Sequence, residues 1–211
     1  KYFLEGESSN QGIQHFFPKI KTQKQVIHNG IDVEFWKPVD SICREPKTFL
    51  SVLSGDNQFL LKGGDLIAEL ANKFPNCKFY IIGVENPSHL KSITTNLFYI
   101  KRLAREELHE YYNRAQFYFQ LSIFEGFGVA LAEAMACECI PIGSSVNNIP
   151  EIIGDSGFIL EKRNLSDLET LVKTVLTIEN KEELQKKARK RIVENYTIKK
   201  REELLLSLLE K

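Results

Sequence analysis

The chain has 211 residues, of which 43% are hydrophobic and 27% charged, which is ordinary globular usage and enough for one large domain or a small pair. Its 28 Lys and Arg residues balance its 28 Asp and Glu residues, so the overall charge does not favour nucleic acid or an acidic membrane as the main partner. Because of this balance we expect a small, neutral or locally bound ligand. No signal peptide is recognisable, and no apolar run approaches the ~20 residues that span a bilayer.

Apolar stretches with the period of β-strands alternate along the chain with stretches of helical period. The predicted strands are 26–28, 48–53, 78–83, 97–100, 117–121, 139–143 and 157–160. The predicted helices are 64–74, 105–115, 128–136 and 166–178, followed by two further helical stretches after residue 180. Ser166 and Glu169 predict a capping box at the start of the fourth helix. The alternation predicts an α/β fold with a Rossmann-like, doubly wound parallel sheet, in which ligands lie at the carboxyl ends of the strands.

A short loop after the predicted strand 117–121 leads into Gly126, Phe127 and Gly128, which open a helix of small apolar residues. Two glycines let backbone amides approach a ligand closely, and a helix N-terminus carries about half a positive charge, so this turn can seat a phosphate. The turn is not the dinucleotide fingerprint, because the third glycine of that motif falls on Leu131. A turn of this kind can also be purely structural.

Glu133 is a lone carboxylate in the apolar run VALAEAMA (129–136). It lies three to four residues after Val129 and Ala130, and therefore on the helix face that carries the first-turn amides. A carboxylate in such a run is costly unless a partner pairs with it. Either a Lys or Arg within the fold supplies that partner, or the carboxylate accepts from the two hydroxyls of a vicinal diol such as a ribose.

Upstream, the predicted strand 48–53 is followed by the loop 54–61 and then by Lys62, Gly63 and Gly64 at the start of another predicted helix. A lysine beside amides exposed by glycines would reach a diphosphate as a point charge. Lysine–glycine pairs are also common in surface turns, so this pattern alone leaves both interpretations open.

The basic cluster, the histidines and the acidic residues of the chain give weaker indications of function than the glycine turns do. In the basic cluster KKARKR (186–191), Glu182 and Glu183 precede Lys186 and Lys187 by four residues, which favours a solvated helix face over a membrane surface. None of the four histidines lies in a triad-like motif. No Asp-x-Asp pair occurs, which argues against a diphosphate chelated through a metal.

The four cysteines fit reduced thiols better than a zinc site. Cys43, Cys77, Cys137 and Cys139 show no paired CxxC spacing, and no second ligand pair follows the last two. We therefore expect a cytoplasmic protein.

The segments that carry these motifs resemble those of a known family. In chain order they are VIHNGID (26–32), LKGGDL (61–66), REELHEYYNRA (105–115), FEGFGVALAEAMA (124–136) and NIPEII (148–153). From about residue 25 to its end, the chain resembles the C-terminal, donor-binding half of the retaining glycosyltransferases of family four, which have the GT-B fold. Glu125 and Glu133, separated by seven residues in this context, are the most specific part of the resemblance.

The resemblance implies a role for each candidate residue. Glu125 would contact hydroxyls of the donor sugar, Glu133 would accept from the ribose, and Lys62 would add charge to the leaving diphosphate, which makes Glu125 and Lys62 the candidate catalytic residues. The backbone of Arg102 and Leu103 would border the nucleobase. The amides that would hold the diphosphate are those of Gly126, Phe127, Gly128, Val129 and Ala130. Because amides and a lysine can stabilise the charge that develops on the leaving group, no metal or other cofactor is expected.

The resemblance also implies partners and a domain organisation. The donor would be a nucleoside-diphosphate sugar, transferred with retention to a glycan, lipid or small-molecule acceptor bound by an N-terminal domain that this sequence lacks, so the chain alone is expected to be inactive. No nucleic-acid partner is expected, and membrane association is left open without being indicated. Residues 1–24 would be a remnant of the missing domain or of the connection to it, and 25–196 would be the nucleotide-sugar-binding domain. Residues 197–211 would form a helix that packs on the missing domain, because five of them are leucines.

Three positions depart from the family pattern. The family usually has Gly-Arg after the strand that precedes the lysine, whereas the loop 54–61 has no Arg, which leaves one diphosphate cation unaccounted for. Glu138 stands where the family has a glycine, and a positive φ there would strain it. Asn147 and Asn148 replace a Gly-Gly pair, which is a milder change because Asn tolerates the left-handed region.

Two alternative functions stay open on the sequence alone. One is a degenerate domain that binds nucleotide or carbohydrate without transfer, which the missing arginine makes conceivable. The other is an unrelated doubly wound signalling module, which would bind no nucleotide at all.

Overall fold

In the computed structural model of the chain, which describes residues 2–4, 15, 18, 19, 21, 24–85 and 94–209, the centre of the fold is a parallel β-sheet. A separate parallel pair is formed by β1 (Tyr2–Leu4) and β2 (Lys24–Val26). The six strands that the described residues contribute to the main sheet are β3 (Glu45–Val52), β4 (Lys78–Ile82), β5 (Leu97–Ile100), β6 (Ala115–Gln120), β7 (Ile140–Ser144) and β8 (Phe158–Leu160).

The strand order of the main sheet is β5-β4-β3-β6-β7-β8, and every adjacent pair is parallel. The chain therefore winds outward from β3 in one direction, returns to the centre at β6, and winds outward in the other. In sheets of this kind ligands bind outside the carboxyl ends of the strands where the winding reverses. For this chain that point is the crevice beyond Val52, which ends β3, and Gln120, which ends β6.

Helices cover both faces of the sheet, as parallel strands require. Among the described residues the α-helices are α1 (Gly64–Lys73), α2 (Arg105–Arg114), α3 (Val129–Ala136), α4 (Ile149–Ile153), α5 (Leu165–Thr177), α6 (Lys181–Asn195) and α7 (Ile198–Leu209). The α/β class, the parallel sheet and the alternation of strands and helices that the sequence predicts are thus confirmed. The periodicity of the sequence does not predict α4, since five residues are too few for a helical period to be recognised.

Two apolar cores lie on opposite faces of the sheet. One core packs α3 and α6 against residues such as Leu50 and Tyr118. The other packs α1 and α5 against the ring of Phe49, which stacks at 4.7–5.1 Å on rings from both neighbouring strands. A central strand buried on both faces is rigid, and it fixes the positions of the loops that leave its carboxyl end.

Two local predictions are wrong. The first predicted strand, 26–28, is displaced, since β2 ends at Val26. The capping box of Ser166 and Glu169 does not form, because α5 begins one residue earlier and Asn164 is its cap, accepting from the amide of Asp167. The Glu169 carboxylate instead forms ion pairs with two lysines, at 2.7 and 3.0 Å.

The basic cluster of α6 is only partly a solvated face. Lys186 pairs with Glu182 at 2.7 Å as predicted, but Lys187 pairs with Asp155 at 2.9 Å, and not with Glu183. The Arg189 guanidinium donates at 2.6 Å to the carbonyl of Ala136, the last residue of α3. A cation at that position satisfies the exposed carbonyls at a helix C-terminus, so this part of the cluster stabilises the fold.

Two of the positions that depart from the family pattern have a left-handed backbone. Glu138 has φ 67° and Asn147 has φ 48°, whereas Asn148 has φ −90°. Glycine is the residue that adopts this region without steric cost, so Glu138 is strained.

The start of α7 is tied to the segment that follows β2. The amide of Ile31 donates to the carbonyl of Tyr196 at 2.7 Å, and the amide of Ile198 donates to the carbonyl of Ile31 at 3.2 Å. Most of residues 1–24, and Glu210 and Lys211, lie outside the described residues, and the division of the chain at residues 24 and 196 stays a prediction. Within the described residues, no helix combines the length and the apolarity needed to span a bilayer.

Candidate active site

A cleft of about 580 Å³ opens at the carboxyl ends of β3 and β6, where the winding of the sheet reverses. Nine of the ten predicted site residues line it: Lys62, Arg102, Glu125, Gly126, Phe127, Gly128, Val129, Ala130 and Glu133. The tenth, Leu103, lies outside the cleft and packs against one of the apolar cores. The structure thus gathers the predicted residues in one place, while the role of each stays a prediction.

The nine residues come from three parts of the chain. These are the loop between β3 and α1, the segment after β5, and the turn and first helical residues after β6. The first and third of these are joined directly, because the amide of Ile123 donates to the carbonyl of Leu61 at 2.8 Å.

The joined loops approach each other closely at Gly63. This residue has φ 83°, and a Cβ atom there would lie 2.5 Å from the Cβ of Leu121. Only glycine therefore fits at the position next to Lys62. Arg163, which follows β8, also holds the two loops together, since it donates to the carbonyls of Leu60 at 2.9 Å and Leu121 at 3.0 Å.

The two candidate catalytic side chains form an ion pair inside the cleft. The Lys62 ammonium lies 2.6 Å from the Oε2 atom of Glu125, and both side chains are largely buried. The residues are 63 positions apart in the chain, and no local pattern indicates the pair. Each of the two charges is thus compensated by the other.

Neutral groups also hold Glu125. The side-chain amide of Gln120 donates to Oε2 at 2.6 Å, and the Ser122 hydroxyl donates to the same atom at 3.3 Å. The backbone amide of Glu125 donates to the Oδ1 atom of Asn147 at 3.0 Å. The sequence motifs do not indicate Gln120 as a site residue, and they indicate Asn147 only as a replacement for glycine. A lone amide at the end of an apolar strand was a signal that could have identified Gln120.

The turn after Glu125 leads directly into α3. Gly128 is the N-cap of this helix, with φ 86° and no side chain that could cap the helix. The first amides of α3, including those of Val129 and Ala130, lack intrahelical acceptors and border the cleft. Amides without intrahelical acceptors and the positive end of the helix dipole make this turn suitable for an anion such as a phosphate.

The ring of Phe127 is buried in the core and is not presented to a ligand. Phe127 is 2% exposed, and its ring packs against those of His28 at 5.7 Å and Tyr196 at 5.5 Å. The packed ring of Phe127 fixes the turn, and the neighbouring glycines, which have no side chains, line the cleft.

Glu133 lies one turn into α3, on the side that faces the cleft. Its Oε2 atom lies 3.4 Å from the hydroxyl of Tyr112, and burial raises the pKa of Glu133 to about 7. Arg105 exerts a weaker, opposite effect on this pKa, and its guanidinium pairs with Asp32 at 2.8 Å. Among the described residues no Lys or Arg forms an ion pair with Glu133, so the purely structural explanation for this carboxylate lacks the partner that it requires.

An aromatic contact extends this end of the cleft into the core. The Tyr112 ring packs edge-on against Trp36, with 5.4 Å between the ring centroids. Both side chains are buried.

Several cleft residues were not among the sequence predictions: Asn29, Val52, Ser54 and Gln120. Asn29 accepts at Oδ1 from Arg201 of α7, so the segment after β2 brings a residue linked to the last helix into the cleft. The arginine that the family usually has after β3 has no counterpart in the loop 54–61. Arg163 does not take its place, since its donors are directed at the loops and at Asp65.

A second groove, of about 640 Å³, lies along the start of α7 and the segment around Val33. It has no glycine turn and no pair of convergent charged side chains comparable to Lys62 and Glu125 among the described residues that line it. Of these two cavities, the cleft between β3 and β6 is therefore the better candidate for an active site.

A model of the family of glycosyl transferases, group 1, matches residues 45–195, which contain the whole main sheet and every residue that lines the cleft except Asn29. The chain belongs to the group 1 glycosyl transferases. This glycosyl transferase is 28% identical over 214 aligned positions to a probable sucrose-phosphate synthase of Thermosipho melanesiensis, an alignment that covers 92% of this chain and 49% of that protein. The chain spans about half or less of the length of curated relatives that it matches.

Solved structures confirm the fold of this glycosyl transferase. Sucrose-phosphate synthase of Thermosynechococcus elongatus matches with a TM-score of 0.83 at 16% identity, over 99% of this chain and 57% of that one. Anabaena HepE in complex with UDP-glucose matches with a TM-score of 0.81 at 13% identity, over 99% and 63%. The C-terminal domain of a group 1 glycosyl transferase of Francisella tularensis matches with a TM-score of 0.67 at 19% identity, over 80% of this chain and 100% of that one. The predicted C-terminal half of a GT-B fold is thus confirmed.

Proposed function

We propose that this chain is the donor-binding part of a retaining glycosyltransferase that uses a nucleoside-diphosphate sugar. The observation that carries the proposal is the convergence, in one cleft, of the Lys62–Glu125 ion pair, the free amides at the start of α3, and Glu133. Membership of the group 1 family supports the transfer of a sugar. A nucleotide-sugar donor is supported by HepE, a protein of similar fold that was solved in complex with UDP-glucose.

In this proposal the diphosphate lies on the amides of residues 126–130, at the N-terminus of α3. Lys62 leaves Glu125 and pairs with the diphosphate, whose negative charge increases as the bond to the sugar breaks. Preorganised amides and a lysine stabilise that charge more in the transition state than in the bound donor, which lowers the barrier. No metal is required for this step, and metal-independent binding is part of the proposal.

The two carboxylates serve different parts of the donor. Glu125, released from Lys62, accepts from hydroxyls of the sugar and stays close to a ring that gains positive charge during transfer. Glu133, at the other end of the α3 face, accepts from the ribose hydroxyls, beside the Tyr112 hydroxyl. Arg102, which lines the cleft, borders the nucleobase.

The acceptor, whether a glycan, a lipid or a small molecule, binds on another part of the enzyme. The chain spans about half or less of its curated relatives, which supports a division of labour in which this part supplies the donor site. On its own it binds donor without transferring the sugar, and it acts in the cytoplasm.

The proposal is tested by binding of nucleotides to the 211-residue chain. A thermal-shift screen with UDP, GDP, ADP and their glucose and mannose esters identifies the nucleoside diphosphate and the corresponding nucleotide sugar that bind. Calorimetry then measures the dissociation constants of both ligands. We expect Glu133→Gln to weaken nucleoside diphosphate and nucleotide sugar alike, by about tenfold, because a hydrogen bond to a charged group contributes about 1.5–3 kcal/mol. Glu125→Gln should remove the extra affinity that the sugar confers. No binding of any nucleotide would contradict the proposal.

A domain that binds nucleotide or carbohydrate without transfer is the second candidate, and the loop 54–61 without arginine favours it. This candidate predicts the same nucleotide affinities as the transferase does, but no transfer or hydrolysis of the sugar. An enzyme that contains this chain together with its acceptor-binding part separates the two candidates, because only a transferase hydrolyses the nucleotide sugar slowly when no acceptor is present.

A further inference from the structure

Gln120 is the last residue of β6, and it is 5% exposed beside the cleft. Its Nε2 atom lies 2.6 Å from Oε2 of Glu125 and 2.9 Å from the Ser122 hydroxyl. Its Oε1 atom lies 3.3 Å from the Tyr118 hydroxyl. Every polar atom of this amide therefore has a partner, and one partner is the candidate catalytic carboxylate.

The partners fix which way the amide points. A carboxylate can only accept, so the NH₂ group of Gln120 must be the end that faces Glu125. At the other end, the Tyr118 side chain is fully buried, and burial raises its pKa well above the usual range, so it is a neutral hydroxyl that donates to Oε1. The result is a directed chain of hydrogen bonds from Tyr118 through Gln120 to Glu125.

The two carboxylate oxygens of Glu125 differ in the hydrogen-bond donors that contact them. Among the described residues Oε2 accepts from the Lys62 ammonium, the Gln120 amide and the Ser122 hydroxyl. Within the described part of the chain, Oε1 accepts only from the amide of Gly126, at 3.2 Å. Oε1 is therefore the oxygen with capacity left for a ligand, and Oε2 is the oxygen by which the protein holds the carboxylate.

This difference matters once a diphosphate is bound. If Lys62 turns to the diphosphate, Oε2 loses its charged partner and keeps Gln120 as the only donor within 3 Å among the described residues. We infer that Gln120 is a positioning residue, which holds Glu125 in place after Lys62 has left and directs Oε1 at a hydroxyl of the donor sugar. The inference rests on the proposed function, since it requires a ligand with both a diphosphate and a sugar.

The test compares UDP with UDP-glucose on the 211-residue chain by calorimetry, or the corresponding pair that the nucleotide screen selects. Gln120→Met keeps the length of the side chain and removes the amide. We expect the ratio of the two affinities, which isolates the contribution of the sugar, to fall at least about fivefold. Gln116→Met is the matched control, because Gln116 lies on the same strand but accepts from the Lys47 amide, away from the cleft.

A merely structural role for Gln120 would lower the melting temperature without changing the ratio, and that outcome would overturn the inference. If Gln120→Met does not fold, Gln120→Asn retains a polar group at the strand end but is too short to reach Glu125, and it should lower the ratio in the same way. In a Glu125→Gln background, Gln120→Met should change the ratio little, because the two residues act as a unit. A wild-type chain that binds no nucleotide would overturn the proposed function as well, whereas unchanged ratios in a wild type that binds would overturn this inference alone.

Discussion

The Lys62 ammonium lies 2.6 Å from Oε2 of Glu125, and the two side chains are only 18% and 13% exposed. In the proposed function a diphosphate and the Glu125 carboxylate would therefore compete for one cation. The strength of nucleotide binding would then depend on both the attraction of the phosphates to Lys62 and the cost of breaking this ion pair.

Glu125→Gln should consequently bind nucleoside diphosphate more tightly than the wild type does. Removal of the competing charge releases Lys62, and we expect a gain of about threefold to tenfold, corresponding to about 0.7–1.4 kcal/mol. This gain is measured by calorimetry, in which nucleoside diphosphate without a sugar is titrated into the wild type and into Glu125→Gln. Glu45→Gln is the control, because Glu45 also pairs with cations, at 2.9 and 2.6 Å, but lies at the opposite end of β3. Weaker binding by Glu125→Gln would show that the carboxylate does not restrain Lys62.

Nucleoside diphosphate should bind without divalent metal, because Lys62 and the amides of α3 supply the neutralising groups. We expect a dissociation constant on the order of 0.1–1 mM, since a few polar contacts in an open cleft supply only about 4–5.5 kcal/mol. Titration with and without EDTA, and with added magnesium, checks this. Lys62→Gln should abolish detectable binding in all three conditions. Binding that requires magnesium or manganese would contradict the expectation.

The stability of the protein should fall as Glu133 ionises. Burial raises the pKa of Glu133 from 4.5 to about 7, so between these pH values the folded state binds more protons than the unfolded state. The contribution of this group is fully present below pH 4.5 and is lost as the pH rises through about 7. Its size is on the order of 1–3 kcal/mol.

Urea unfolding of the wild type and of Glu133→Gln at about pH 5 and about pH 8, on either side of the raised pKa, measures this contribution. The variant cannot ionise at this position, so its unfolding free energy relative to the wild type should rise from the lower to the higher pH. A difference that does not change with pH, or a variant that collapses at both pH values, would instead indicate that Glu133 is a buried structural partner.

The organisation of the fold was predictable because strands buried on both faces and helices with one apolar face leave strong periodic patterns. The glycine turn before α3 and the position of Glu133 were predictable because both are local features. The contacts of Glu125 with Lys62 and Gln120 were not, since they depend on how closely two loops approach across the sheet. The cap of α5 was missed for a different reason: Ser166 fits the capping pattern, but Asn164 is the residue at the helix start.

Glu138→Gly should stabilise the protein. Glu138 has φ 67°, and replacement by glycine removes a strain of about 1–2 kcal/mol at an entropic cost of about 0.5–1 kcal/mol. We expect a net gain of about 0.5–1 kcal/mol, measured as a melting temperature about 1–3 °C higher. Asn147→Gly is the comparison, because Asn147 also has a positive φ but its side chain accepts from the Glu125 amide. That variant should gain no stability, and a Glu138→Gly protein that melts below the wild type would refute the strain argument.

The last helix should mediate self-association of the chain. Leu206 and Leu209 of α7 are 57% and 82% exposed, which is more apolar surface than a single helix normally presents to water. We expect sedimentation of the wild type to show a concentration-dependent dimer, and Leu206→Ser with Leu209→Ser to give a monomer. Val193→Ser, on α6, is the control, because it changes an exposed apolar residue elsewhere. A wild type that is already monomeric at all concentrations would contradict the expectation.

The contact of Tyr112 with Trp36 makes Trp36 a candidate intrinsic fluorescent probe of the cleft. Trp36 is the single tryptophan in the chain, and its ring lies against Tyr112, whose hydroxyl reaches Glu133 in the cleft. Indole emission responds to charge and hydrogen bonding nearby, and no second indole contributes to the signal. The intrinsic fluorescence of the unlabelled protein should therefore change when a ligand binds at the Glu133 end of the cleft, which would allow binding to be followed in real time without a dye or a coupled assay.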